Sequence, residues 1–495
     1  MMRFGACLLL LSLVAPAALV LPAAPGAAQD IAPVGEPMDI ALRQGTLLPQ
    51  QVLRSSSLTF PAILEAFERE AAARGDQLSA DGAFDLMLRG EVFDRITGTF
   101  DGGFASTEAR QALRPLGAEV FASYRVARGR FPTSESGFNT TELGQMRIGA
   151  MFSLLRDRRI DQRRFAIEDT RLAAGQASID VLLVQLNVQA EALRAYWRWV
   201  AAGEEVRVFE ELLEIAEARQ VGLARGVREG ATAEIALTEN EQNLLRRRTL
   251  LEEARRNFET AANSLSFFLR DSSGQMIVPR RAQIPSLQQI ARLPTTDELL
   301  AAPRNEVLER RPELRTLRLA SERAANRIEL RRNDLQPSLQ GRAEVRQSFG
   351  DGPVGMATFD SATDTLVGLT FSVPLQRREA RGRLARAEAE LRELELRERR
   401  IADQIEVEID NILATLNAAI RVSSLAQDEV RQATTMVQAE RTRFRLGAGD
   451  FFLVNLREEA AADAQVRAIR AELSGRLAAA NYNAATINLP ELGLE

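Results

Sequence analysis

The chain has no histidine and no lysine in its 495 residues, so all 63 basic side chains are arginine. Its one cysteine is Cys7. Without imidazole, and with no thiol past the N-terminus, the usual zinc, haem, thiol-protease and Ser-His-Asp constellations have no groups to draw on. Arginine does not deprotonate near neutral pH, which removes general-base lysine chemistry as well. Metal sites made only of carboxylates remain open, but no such cluster stands out. The composition therefore argues against an enzyme and against a bound cofactor.

Long apolar runs are also missing. After the N-terminus no stretch of about 18 apolar residues occurs, so no membrane-crossing helix is expected. Aromatic residues make up only 5% of the chain, which bounds the interfacial girdle it could build, and a net charge of -5 gives no pull toward nucleic acid. Met1 to Gln29 carries one positive charge at Arg3, an apolar stretch from Ala6 to Leu21, and small residues Gly26, Ala27 and Ala28 before Asp30. That pattern predicts a secretory signal peptide over 1–28, cut after Ala28. Cys7 lies ahead of the apolar core, so lipoprotein-type cleavage there would leave no export signal. The mature chain is then expected to be free of cysteine, which suits an oxidising compartment. A secreted chain can still cross an outer membrane with strands, whose signal is weaker per segment.

What the chain does contain, it contains twice. Phe152 to Arg159 reads FSLLRDRR and Phe371 to Arg378 reads FSVPLQRR; each ends a stretch of two-residue alternation and opens a helix-forming run. Arg159 to Gly230 spans 71 residues and Arg378 to Gly447 spans 69. The predicted unit is a β region, a long helix, a turn and a second long helix. In the second copy, Leu339, Gly341, Ala343 and Val345 point one way, and Gln340, Arg342, Glu344 and Arg346 the other. A partner strand, Thr365 to Val373, follows a Gly-, Asp- and Pro-rich loop. One hairpin with an apolar outside and a charged inside results, at the length a tilted barrel strand needs. Two strands cannot close a barrel, so other copies of the chain are expected to supply the rest. In the first copy the candidate strands are Phe84 to Phe93, a weak one at Glu108 to Leu113, Glu119 to Arg128, and Gln145 to Leu154. That is two hairpins' worth.

The helices carry a seven-residue repeat. Phe165, Leu172, Ile179, Leu186, Leu193 and Val200 are spaced by seven, and Ile405, Ile409, Ile412, Leu416 and Ala419 by four and three. Such a repeat marks a coiled-coil seam, and helices of about 65 residues would run about 100 Å. Glycines at 222, 226 and 230, and again at 447 and 449, are expected to mark the hairpin tips. Helix should resume over Ala233 to Leu269 and Phe451 to Thr486. The resulting division is a signal peptide 1–28, an N-terminal segment with a short helix 29–80, a first β region 81–156, and a first helical hairpin 157–270. A middle segment 271–305, a helix 306–335, a second β hairpin 336–374 and a second helical hairpin with the C-terminus 375–495 follow.

Several segments together resemble the TolC family of outer-membrane efflux and secretion ducts, over Thr59 to Leu489. They are RPEL at Arg311 to Leu314, LQPSL at Leu335 to Leu339, FSVPLQRREARGR at Phe371 to Arg383, and the tip-like REGATAEIALTENE from Arg228 and RFRLGAGDFFLVNLREEAAADAQ from Arg443. The family's usual Gly pair at the strand exit is replaced by Arg377 and Arg378. The resemblance implies a mainly α fold with membrane β: a homotrimeric transmembrane β-barrel, four strands from each chain, continuous with a long periplasmic α-helical barrel. It implies partners as well: a periplasmic adaptor protein, an inner-membrane pump of RND or ABC type, and outer-membrane lipid, with no nucleic acid. The chain departs from that pattern in its extra strand candidates and at the tip. Where some members close the tunnel with acidic residues just after the second turn, this chain has Leu453 and Leu456.

The site expectations follow. Gly230, Ala231, Thr232, Gly447, Ala448 and Gly449 are the candidate tip and adaptor contact. Asp450, with Arg443 and Arg445, is the candidate gate, although Asp450 also suits a helix cap before Phe451. Arg342, Glu344 and Arg346 are the candidate barrel lumen. The function the resemblance implies is a passive exit duct of a tripartite efflux system in the outer membrane of a Gram-negative-type bacterium, carrying drugs, metals or metabolites. A type I protein-secretion duct and, from another class, a periplasmic structural coiled coil or adaptor remain alternatives.

Overall fold

A computed structural model describes residues 45–132, 137–286, 304–350 and 363–494. The expected signal peptide, residues 29–44, most of the Pro-containing middle segment after Ser286, and the heart of the loop at 351–362 lie outside the described residues. The elements in chain order are α1 (Pro49–Thr59), α2 (Pro61–Asp81), β1 (Met87–Asp94), β2 (Gly103–Ala112), β3 (Glu119–Arg128), β4 (Gln145–Ser153), α3 (Gln162–Arg228) and α4 (Glu234–Ser266). After the middle segment come α5 (Arg304–Arg310), α6 (Pro312–Asp334), β5 (Ser338–Ser348), β6 (Thr363–Ser372), α7 (Arg378–Arg445) and α8 (Phe451–Ala485). None of the described helices is long and apolar enough to cross a membrane.

The duplication holds for the three long helices of each repeat, while the first repeat has four strands and the second two. A rising helix of 21 residues (α2) matches one of 23 (α6), a descending helix of 67 (α3) matches one of 68 (α7), and a returning helix of 33 (α4) matches one of 35 (α8). Each rising helix starts with proline at its first position, where no hydrogen bond is lost. The descending helices start differently. Asp161 caps α3, its carboxylate accepting from the Arg164 N–H at 2.9 Å, so α3 begins three residues after Arg159. The helix α7 begins at Arg378 itself, after Arg377 takes a left-handed turn with φ 49°. At 1.5 Å per residue α3 and α7 are each about 100 Å long.

All six residues of the predicted α3 seam, Phe165 to Val200, are buried. The α7 seam is longer than the expected run: its four-and-three spacing continues past Ala419 through Ser423 and Ala426 to Val437 and Glu440. Helix α3 packs on α2 and α6 nearer the sheet and on α4 and α8 farther from it, while α7 packs on α6 and α8. The densest core lies where these sets meet. There Tyr196 and Trp199 of α3 are wholly buried with Leu47 and Leu53 near the start, Leu265 and Leu269 after α4, and Leu492 and Leu494 at the end. The Tyr196 hydroxyl donates to the Leu47 carbonyl at 2.9 Å, and Gln189 receives the Ser56 hydroxyl at 2.7 Å while donating to the Leu53 carbonyl at 3.0 Å. The stretch from Leu47, the described start of the middle segment and the stretch up to Leu494 are thereby tied to one waist.

The six strands form one antiparallel meander in the order β1-β2-β3-β4-β5-β6. The second strand is a full one of ten residues from Gly103, not the short segment from Glu108 that its sequence suggests. Its N-terminal half, GFAST, carries no charge and so shows little alternation, yet it pairs with β1 and β3 along its whole length. The two repeats join through β4 and β5, which pair from Gln145↔Ser348 to Ser153↔Gln340.

Candidate functional site: a two-faced sheet and two helical tips

Residues paired across an antiparallel ladder share a face, so the register sorts the whole sheet. One face carries Leu88 and Val92, Ala105 and Ala109, Val120 and Val126, Ile148 and Phe152, Ala343 and Val345, and Val367 and Leu369. Its only charges are Asp94 and Arg128, an ion pair of 2.7 Å at the loop end. Many of these apolar side chains stand exposed, Val92 at 75% and Val367 at 80%. The opposite face holds the remaining strand charges, at least one on every strand: Arg89, Glu108, Arg125, Arg147, Arg342 and Asp364 are examples. Arg342, Glu344 and Arg346 all lie there, as their spacing requires. The Glu344 carboxylate sits between the two guanidiniums with its side chain fully covered, and Arg342 lies 5.6 Å from the Phe121 ring centre. At the loop end of this charged face Phe104 stacks between Phe93 and Phe138, at 5.6 and 5.1 Å, and Arg125 caps Phe104 at 4.9 Å. The β3–β4 loop thus folds onto that face, a packing that alternation alone does not signal.

At the opposite pole the two hairpin tips have the same backbone. In the first, the N–H groups of Gly230 and Ala231 donate to the carbonyls of Val227 and Gly226; in the second, those of Gly447 and Ala448 donate to Phe444 and Arg443. Both are Schellman turns, and Gly230 and Gly447 take φ of 71° and 76°, where a side chain is disfavoured. The expected tip residues Gly230, Ala231, Thr232 and Gly447, Ala448, Gly449 therefore occupy equivalent places. Gly222 and Gly226 do not: they lie inside α3, which runs unbroken to Arg228. Gly226 instead leaves room for Thr232, whose hydroxyl would stand 2.6 Å from an added Cβ.

The next equivalent pair is Ala233 and Asp450, the residues that precede α4 and α8. Only Asp450 can cap, and its carboxylate accepts from the Phe452 N–H at 3.1 Å. Within one chain the two candidate gate arginines are engaged elsewhere. Arg443 reaches Glu440 at 3.3 Å and Arg445 reaches the Thr442 hydroxyl at 3.2 Å.

A stronger charge cluster lies a few turns from the tips. Glu458 of α8 is buried and pairs with Arg219 of α3, with Arg247 of α4 at 3.1 Å and with Arg441 of α7 at 2.9 Å. Four helices and both hairpins meet at this one carboxylate. Arg247 is completely buried and also donates to the Leu212 carbonyl at 2.7 Å. Burial pushes the Glu458 carboxyl upward, but the Arg219 and Arg441 guanidiniums outweigh it and hold the group below the ordinary carboxylate range. Asn240, Glu440 and Asn455 are further buried polar residues in the same zone. The sequence carries a signal for them: Arg247 sits between Leu244 and Leu251 in the four-and-three seam of α4, a position a charged residue does not usually occupy.

A two-faced sheet running directly into two long helical hairpins is the fold of the TolC-type outer-membrane channels. The second repeat matches the model of the outer membrane efflux protein family over residues 304–489. Solved structures with this fold include the open MtrE outer-membrane channel of Neisseria gonorrhoeae, at 16% identity and a TM-score of 0.63 over 90% of this chain and 89% of that one. They include VceC of Vibrio cholerae, at 14% and 0.62 over 88% and 95%, and the CmeC channel of Campylobacter jejuni, at 14% and 0.62 over 90% of each. At these identities the likeness is one of fold. Comparison with curated protein sequences finds no match.

Proposed function

We propose that three copies of this chain close into a single duct, with the sheets forming a barrel in outer-membrane lipid and the hairpins a tunnel across the periplasm. The duct is the exit of a tripartite efflux system and conducts small molecules passively. An adaptor protein seated on the tips and an inner-membrane pump of RND or ABC type would supply partner contacts and energy. The apolar face then meets lipid, and Arg342, Glu344 and Arg346 line the lumen.

The observation that carries this reading is a second apolar stripe on α7. Leu396, Val407 and Leu425 are exposed at 65%, 59% and 68%, on the side away from the buried seam at Ile405, Ile409 and Leu416. Spacings of eleven and eighteen residues are close to whole numbers of turns, so the three share one side. A helix that is apolar on opposite sides belongs in a ring, with a neighbour on each flank. One neighbour is α6 or α8 of the same chain, and the other is absent until a second copy arrives. The open edges at β1 and β6 make the same demand in lipid, where unpaired backbone groups are costly.

The direct test is to purify the protein from outer membranes in detergent and determine its stoichiometry and single-channel conductance. The expected result is a trimer that conducts, and a deletion strain that gains sensitivity to toxic small molecules. A water-soluble monomer in the periplasm overturns the duct and favours a structural coiled coil.

A further inference from the structure

We infer that each chain contributes all six strands to the barrel, so that β1 of one copy pairs with β6 of the next and three copies build a wall of eighteen strands. This rests on the three-copy duct proposed above and goes beyond it in naming the interface between copies. The β1–β2 hairpin is the part in question, since β3 to β6 alone would close a smaller ring of twelve.

The hairpin matches its neighbours in the wall in face pattern and, within one residue, in length. Its strands are 8 and 10 residues long, against 9 to 11 for the other four, and a tilted strand needs about 9 to 11 to cross the hydrocarbon layer. On the lipid-side face β1 and β2 place Leu88, Gly90, Val92, Ala105, Thr107 and Ala109, and the one charge there, Asp94, sits at the loop end paired with Arg128 of β3. Arg89, Glu91, Glu108 and Arg110 all go to the other face. A hairpin lying outside the bilayer has no reason to keep the body of one face free of charge in register with β3 through β6. An ion pair fixes the hairpin into the sheet on the lumen side as well: Arg110 of β2 meets Glu119 of β3 at 2.7 Å, and Glu119 meets Arg163 of α3 at 3.3 Å.

The edges agree. β1 and β6 are the two ends of the strand order, and they alone are exposed at every residue. Six is an even number, so β1 and β6 run in opposite directions and meet as an antiparallel pair around the whole ring. Barrel diameter grows about linearly with strand number, and 16 to 18 strands leave an aqueous channel. The mouth of this duct is accordingly wider than four strands per chain allow.

Engineered disulfides test the junction, because Cys7 is the only native cysteine and lies in the expected signal peptide. Val92→Cys is combined in turn with cysteine at Thr363, Thr365, Val367, Leu369 and Phe371, all on the same face of β6, which covers every register. The parallel series uses Ala122→Cys on β3 with the same β6 positions. Oxidation in outer membranes should give a dimer and trimer ladder on non-reducing gels from a Val92→Cys pair, and none from Ala122→Cys. A ladder from Ala122→Cys, or a trimer that never crosslinks through Val92→Cys, overturns the six-strand wall and leaves the duct standing. A monomer in detergent with no ladder in either series overturns the three-copy duct, and the inference with it.

Discussion

Glu458 is one carboxylate held by three arginines from three other helices, and the duplication offers no counterpart, since the equivalent position in the first repeat is Glu241, which is exposed. Replacing it by glutamine keeps the shape and leaves Arg247 buried with an uncompensated charge. Loss of one partner from a buried pair costs about 3–5 kcal/mol. Glu458→Gln should therefore raise hydrogen exchange in the tip-side thirds of α3, α4, α7 and α8 while the waist stays protected; uniform protection would show that the cluster does not hold the hairpins together. The pH dependence has a definite sign. The folded carboxyl is held below its unfolded value of about 4.3, so its contribution is complete above that value and is lost as pH falls through the lower folded value. The four helices should stay tied at Glu458 through the mildly acidic range and loosen only in stronger acid, and Glu458→Gln should abolish that acid step. Asp450 is a cap in this chain, so Asp450→Ala should cost about 1 kcal/mol of tip stability and Asp450→Asn almost none. Equal conductance of wild type and Asp450→Asn in bilayers is expected if the ionic hold lies at Glu458, whereas a rise would return the gate to an Asp450 ring facing Arg443 or Arg445.

For single elements, face assignment decides what a substitution does. Ala343 is flanked by Ala150 and Val367 on the apolar face, so Ala343→Arg should hinder assembly by about 2–4 kcal/mol near the midplane. Arg342, two places from Gln340 on the charged face, tolerates glutamine. Equal yields of folded trimer from the two variants would contradict the face assignment. On α7, Leu416→Ala removes a wholly buried seam residue and should cost about 2–5 kcal/mol within one chain. Leu425→Glu should leave the chain folded but prevent trimer formation, as read by sedimentation in detergent. These elements were legible because each rests on a local period: two for strands such as Ser338–Ser348, and seven for Phe165 to Val200. Legibility stopped where structure depends on partners distant in sequence. The first half of β2 shows no alternation and is defined by the strands beside it. Gly222 and Gly226 look like tip glycines, yet helix continuity and the packing of Thr232 keep them inside α3. The Glu458 cluster was half visible, as a charge in the α4 seam whose partners no spacing reveals.

For the whole molecule, the long-range balance is one of near-equal charge along the proposed lumen. Arg89, Arg110, Arg125 and Arg147 in the first repeat face Glu91, Glu108 and Glu119, and Arg342 and Arg346 in the second face Glu344 and Asp364. Interleaved charges of both signs leave a wide pore with little net field, because at physiological salt they are screened beyond about 8 Å. The wild-type duct should therefore discriminate poorly between small cations and anions, with a reversal potential close to zero under a salt gradient. In the proposed trimer, three-fold symmetry makes every substitution a ring. Arg342→Gln together with Arg346→Gln removes six positive charges from three copies and leaves Glu344, freed from both guanidiniums, as a ring of three carboxylates. The reversal potential should then move toward that of a cation-selective pore, by an amount that shrinks as ionic strength rises. No movement at low salt would mean that this face does not line the conduction path, and the barrel would have to be turned inside out.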